Sequence, residues 1–159
     1  LEQNLKYWIA FNLLFAEDLG SAQKVFQHFS SVKDIFETSP EGFASLGLSK
    51  KLTEAIKSRR TLEKAVRELD RINKKGYTVL TIEDDRYPEY LREIFDPPYV
   101  LYCAGDLDVL KKPAVSIVGA RRSSPYGRAV AEKLAFELSS RGIVIVSGMA
   151  RGIDSMAHW

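Results

Sequence analysis

The stretch Ala114–Trp159, AVSIVGARRSSPYGRAVAEKLAFELSSRGIVIVSGMARGIDSMAHW, restricts the fold more than any other part of this chain. Ala114–Val118 is a short apolar run rich in β-branched residues, the length of a buried strand. Gly119 ends it. Pro125 and Gly127 stand where a helix begins, and Ala129, Val130, Leu134, Ala135 and Leu138 recur at helical spacing. Gly142 stops that helix, as a glycine past the last turn does. Ile143–Val146 is a second wholly apolar strand, followed by Ser147-Gly148, Gly152 and the start of a further helix. Unbroken apolar strands predict burial on both faces, hence a parallel sheet covered by helices. The unit reads as βαβ with a right-handed crossover.

Two glycine turns therefore fall at the carboxyl ends of adjacent strands, each leading into a helix. Main-chain N–H groups at a helix start have no partner inside the helix, and the dipole is positive there. Such a place binds phosphate. The first turn adds Arg121, Arg122, Ser123, Ser124 and Tyr126 around Gly119 and Gly127; the second adds Ser147, Gly148, Arg151 and Gly152. No acidic residue occurs between Lys111 and Ala131. One such turn would be read as a mere change of direction. Two in tandem, both with arginine, point to an anion site. Tyr126 either stacks on a base or packs at the helix start. Asp154 and His158, four apart on one helical face, could form a catalytic or metal pair, but no third ligand or nucleophile is visible; they are expected to brace the second turn instead, Asp154 by accepting N–H groups near the helix start.

The dinucleotide fingerprint G-x-G-x-x-G is absent, because ARRSSPYG follows Gly119. No acidic residue follows the second strand where a ribose contact would stand, which argues against a plain NAD site. A Walker lysine motif is also missing.

IVGARRSSPYG followed by VIVSGMARGIDSMAH resembles the DNA-processing protein A family (DprA, also called Smf). The residues that carry the likeness are Val118, Gly119, Arg121, Ser124, Tyr126 and Gly127, then Ser147, Gly148, Ala150, Gly152, Ile153, Asp154, Ala157 and His158. The resemblance implies a cytoplasmic, non-enzymatic protein without cofactor or metal. It further implies one that binds single-stranded DNA, protects it and loads the RecA recombinase onto it in natural transformation. A homodimer is implied for the full-length protein. Two further segments match the family: Asp84, Tyr87, Pro88 and Leu91, then Pro97, Pro98, Leu101, Tyr102 and Gly105. The likeness covers Gly76–Trp159 well and the first 75 residues loosely. The expected fold class is α/β: a Rossmann-like parallel sheet, incomplete in this chain, preceded by a small all-α SAM-like or helix-hairpin-helix domain. The expected domains are residues 1–75 and 76–159. Since the family continues past this point, the chain is expected to be a fragment that alone binds DNA weakly and dimerises poorly.

The other residues fit this division. Net charge is only +2 over 159 residues, but it is unevenly spread. Residues 50–75 carry ten Lys/Arg against four Asp/Glu, residues 76–109 two against eight, and residues 110–159 eight against three. Two basic segments thus flank an acidic one, and the second holds the glycine turns. Cys103 is the only cysteine, so no intrachain disulfide is possible; within the apolar run Tyr99–Ala104 it reads as an inert buried thiol. No apolar run is long enough to span a membrane.

Leu1–Lys75 reads as helical. Leu5, Trp8, Ile9, Phe11, Leu13, Leu14 and Phe15 mark a first helix ending near Gly20, with Ser21 capping a second. Ser39-Pro40-Glu41 starts a further helix with proline at its first position. Leu46-Gly47-Leu48-Ser49 resembles a helix-hairpin-helix turn, where Gly47, Ser49, Lys50 and Lys51 either contact DNA or only pack; Lys57 is expected near the same turn. Charges on Arg59–Lys75 alternate in sign, as on a solvated face. Glu83-Asp84-Asp85 reads as a solvated turn rather than a metal site, since consecutive carboxylates cannot all face one ion. The competing class is a Rossmann-like nucleotide-binding enzyme related to phosphoribohydrolases. A third reading makes the helical segment a protein-docking module.

Overall fold

The computed structural model describes residues 2–158, without the side chains of Glu2, Gln3 and Ala44. The chain forms two compact units, Leu1–Gly105 and Asp106–Trp159.

In the first unit, α1 (Glu2–Phe15) is enclosed by α2 (Leu19–His28), α3 (Val32–Glu37), α4 (Lys50–Lys57) and α5 (Arg59–Lys74). Five consecutive residues of α1, Tyr7 to Phe11, are buried. A helix buried over more than one whole turn has no solvated face there, so neighbours must cover it on all sides. Phe11 lies 4.6 Å from Phe15, 6.2 Å from Phe26 and 5.1 Å from Tyr99, ring centre to ring centre. The first helix ends at Phe15, before the expected Gly20, and Asp18 rather than Ser21 caps α2. The Ser21 N–H donates to the Asp18 carboxylate at 3.1 Å. A carboxylate three residues upstream is a strong N-cap acceptor, so α2 starts earlier and takes Gly20 into its first turn. Pro40–Leu46 is a 3₁₀ helix.

β1 (Thr78–Thr81) and β2 (Val100–Cys103) pair antiparallel, with Thr78 opposite Cys103 and Thr81 opposite Val100; the short α6 (Glu89–Arg92) lies between them in sequence. Val79, Val100 and Tyr99 join the helical core. The first compact unit therefore extends to Gly105, beyond the expected boundary near Gly76, because this strand pair buries its apolar face on the helices. Within the acidic turn, Glu83 and Asp85 are exposed while Asp84 turns inward. It accepts from Arg86 Nε at 3.0 Å and Nη2 at 2.8 Å. These hydrogen bonds hold its carboxyl below the usual aspartate range. Cys103 is half-buried, and burial pushes its thiol up.

The second unit holds β3 (Ala114–Ser116), α7 (Pro125–Ser139), β4 (Val144–Val146) and α8 (Ile153–Met156). β3 and β4 pair parallel, Ala114 against Val144 and Ser116 against Val146, with α7 as the crossover. Hydrogen bonds from Val144 N–H to Pro113 O (2.9 Å) and from Ile117 N–H to Val146 O (3.0 Å) continue the pairing at its two ends. Both strands are shorter than expected, because the backbone leaves the ladder before Val118 and joins it only after Ile143. α7 packs on β4 and buries Ala131 and Ala135. The expected burial on both faces is not met: β3 is exposed along its length, and in β4 Val146 is 49% exposed. Among the described residues of this unit, nothing covers the second face. No helix of the described residues is long and apolar enough to cross a membrane.

Candidate nucleic-acid interface

The two glycine turns meet. Gly152 lies so close to the first turn that a β-carbon on it would stand 2.2 Å from the Ala120 carbonyl oxygen and 2.7 Å from that of Arg121. The Ile153 N–H donates to Ala120 O at 3.3 Å. Gly119 faces the Ile153 side chain, where a β-carbon would stand 2.7 Å away. Only glycine permits these approaches, and Gly152 also has φ +91°, a conformation side chains resist.

Asp154 ties the turns together. It is buried, and its Oδ1 accepts the Gly119 N–H at 3.1 Å. Its other oxygen lies where a Gly148 β-carbon would come within 2.9 Å. Asp154 thus braces both turns, whereas it was expected to serve only the second. The Gly119 amide, one of the proposed phosphate donors, is consequently engaged by a carboxylate inside the molecule.

Other expected donors are engaged as well. Ser124 caps α7, its Oγ accepting the Gly127 N–H at 3.1 Å. Ser147 donates its hydroxyl proton to Ile117 O at 2.7 Å. Gly119, Gly127, Ser124 and Ser147 therefore shape the site. Arg121, Arg122, Arg128 and Arg151 are exposed, as is Tyr126 at 80%; Ser123 is half-buried. Among the described residues, no protein acceptor takes the N–H of Ala120, Arg121, Met149 or Arg151. Met149 has φ +53°, the one described residue other than glycine in the left-handed region. Nothing in the composition of SGMARG announces that position, since the strain is imposed by the fold.

The two helix starts are unequal. α7 has fifteen residues, Pro125 in its first turn and no acidic residue there, so its dipole favours an anion. α8 has four residues and carries Asp154 in its first turn, so it adds little positive field. His158 does not brace the site. It is exposed and lines a groove of about 730 Å³ with Lys112, Glu132, Lys133, Phe136 and Ile145, away from both turns. Among the described residues, no three His, Cys, Asp or Glu side chains converge on a metal position.

In the first unit, Gly47 takes φ +64° and Ser49 caps α4, its Oγ accepting the Leu52 N–H at 3.2 Å. Lys50 and Lys51 are exposed at that helix start. Lys57 is drawn inward instead. Its Nζ donates to Phe36 O at 3.1 Å, and burial lowers its pKa.

The family model for DNA recombination-mediator protein A matches residues 78–159, about half of the chain. DNA processing protein DprA of Bacillus subtilis is 41% identical over 96 residues, which is 60% of this chain and 32% of the relative. Protein Smf of Synechocystis sp. is 32% identical over 157 residues, 96% of this chain and 39% of the relative. A solved structure of DNA processing protein A from Helicobacter pylori, described for its single-stranded DNA binding mode, shares 43% identity. That likeness has a TM-score of 0.46 and covers 51% of this chain and 36% of the other. The chain thus spans less than half the length of the curated relatives it matches.

Proposed function

The chain belongs to the DNA recombination-mediator protein A family, that of DprA and Smf, and from that premise we propose that its joined glycine turns hold the backbone of single-stranded DNA. The observation that carries this reading is the contact of Gly152 with the Ala120 and Arg121 carbonyls. Because Arg122 and Arg151 adjoin these residues in sequence, Arg121 and Arg122 on one turn are read as neighbours of Arg151 on the other, ahead of the α7 start. Guanidinium groups and unpartnered amides there suit phosphate oxygens. Phosphate contacts carry no base information, so binding is sequence-tolerant and weakens with salt. The donors in this reading are Arg121, Arg122, Arg151 and the amides of Ala120, Arg121 and Met149. Gly119, Gly127, Gly148, Gly152, Ser124, Ser147 and Asp154 shape the turns, Ser123 borders them, and Tyr126 is free to stack on a base.

For the whole protein the proposal extends to what the family resemblance implies: protection of incoming DNA and RecA loading in transformation, in the cytoplasm, as a homodimer and without catalysis. The test is fluorescence anisotropy with single-stranded and duplex oligonucleotides over a salt series. Arg121→Ala reduces the slope of log K against log[salt] by about 0.7 on single strands. An unchanged slope removes Arg121 from the site. Incubation with nucleoside monophosphates leaves them intact; release of free base would favour a phosphoribohydrolase instead.

A further inference from the structure

Helix α5 carries a second surface suited to nucleic acid, in the unit that contains none of the joined-turn residues. Arg60, Lys64, Arg67, Arg71 and Lys74 succeed one another at spacings of four, three, four and three. At 3.6 residues per turn, that spacing lays all five along one stripe of the helix. The buried residues of α5, Thr61, Ala65 and Ile72, lie on another face, about 100–140° round the helix, and all five cations are exposed. With a rise of 1.5 Å per residue, the stripe runs for roughly 21 Å with a cation about every 5 Å.

The acidic residues of the helix fall beside the stripe. Glu63 lies 3.9 Å from Arg59, Glu68 lies 3.4 Å from Arg71, and Asp70 is exposed on the flank. Among the described residues, no carboxylate stands within ion-pair distance of Arg60, Lys64, Arg67 or Lys74. In sequence the charges alternate in sign; on the folded helix they sort by face.

Helix stability accounts for only part of this arrangement: Glu63–Arg67 and Asp70–Lys74 have the favourable i,i+4 spacing, yet neither closes to ion-pair distance. Cations three or four residues apart repel one another. Arg59 and Arg60 open the helix, where the positive end of the dipole disfavours them, and no acidic residue stands in that first turn. Only Arg71 and Lys74, in the last turn, gain from the dipole.

We propose that the Arg60–Lys74 stripe is a second nucleic-acid contact, which holds the phosphodiester backbone independently of the joined turns. The stripe offers charge without a stacking platform, as α5 exposes no aromatic side chain. It therefore takes single strands and duplex alike.

The test uses the 159-residue chain with labelled single-stranded and duplex oligonucleotides across a salt series. The variant R60Q/K64Q/R67Q/K74Q keeps good helix formers at exposed positions, and unchanged circular dichroism verifies its fold. The salt slope is expected to fall by about 2–3 on both ligands, with about ten-fold or greater loss of affinity at low salt. The same loss is expected on an Arg121→Ala background, which separates failure of the stripe from failure of the turns. An unchanged slope overturns the proposal. So does loss of slope in K50Q/K51Q but not in the quadruple variant, which moves the contact to the hairpin. Equal displacement of DNA by polyglutamate of matched charge also overturns it, since the stripe would then be a surface for acidic protein.

Discussion

Replacing Gly152 by alanine attacks the joint between the two turns. Gly152 has φ 91° and ψ −124°, where a β-carbon is strained; alanine there costs about 1–3 kcal/mol. The added carbon would also stand 2.2 Å from the Ala120 carbonyl oxygen. Carbon and oxygen do not approach much closer than about 3.3 Å, so one loop must retreat by about 1 Å. Both partners are main chain, and no rotamer relieves the clash. The retreat breaks the Ile153–Ala120 hydrogen bond and loosens that from Gly119 to Asp154, each worth about 1 kcal/mol. The total, about 3–5 kcal/mol, rivals the whole stability of a unit this small. Gly142→Ala is the control: its φ is +81° and nothing lies within 4 Å of the added carbon, so only dihedral strain of about 1–2 kcal/mol applies. Hydrogen exchange read on α7 measures both, since the two units need not unfold together. Gly152→Ala is expected to lose α7 protection and the Arg121-dependent salt slope, while Gly142→Ala keeps most of both. Equal protection and equal slopes in the two variants would refute the reasoning that this contact joins the turns.

Asp154→Asn keeps an acceptor for the Gly119 N–H but removes the only buried carboxylate of the described core beside the turns. Stability should change by less than about 1 kcal/mol in α7 exchange, and DNA should bind more tightly at low salt; weaker binding would contradict an anion site. Phe11→Ala empties a site packed by Phe15, Phe26 and Tyr99, and about 3–5 kcal/mol should be lost from the first unit in urea unfolding followed by far-ultraviolet dichroism. Asp84→Asn removes the partner of Arg86. Because that pair lowers the Asp84 pKa, its stabilisation is present above the unfolded aspartate value of about 3.9 and lost as pH falls through the folded one. Wild type should thus exceed the variant by about 1 kcal/mol near neutral pH, and the gap should close in acid. A gap that persists at low pH would deny the pair its role.

The βαβ order was legible because local rules point the same way. Apolar runs of strand length, a proline-started helix and glycines at the strand ends admit few alternatives. The family motif was legible for a related reason: close approach of two backbones leaves glycine no substitute, so the glycines mark themselves. What each polar group does at the turns was not legible. A serine or an aspartate in a loop can serve solvent, ligand or its own main chain. The meeting of the turns gave the Gly119 amide to Asp154, and strand pairing gave the Ser147 hydroxyl to Ile117; the Ser124 cap on the Gly127 amide is local, yet the loop sequence does not tell it from a ligand contact. His158 left the site for the same reason, since four residues on a one-turn helix do not fix where the ring will lie.

By itself, then, the order of residues determined the parallel strand–helix–strand unit, the helical character of the first segment and the positions of the two turns, because backbone propensity and apolar periodicity are local. Tertiary structure alone decided which donors stay open to a ligand, that β1 and β2 belong with the helices, and which face of α5 is buried. Those outcomes depend on which distant groups become neighbours, and on which faces burial leaves to solvent.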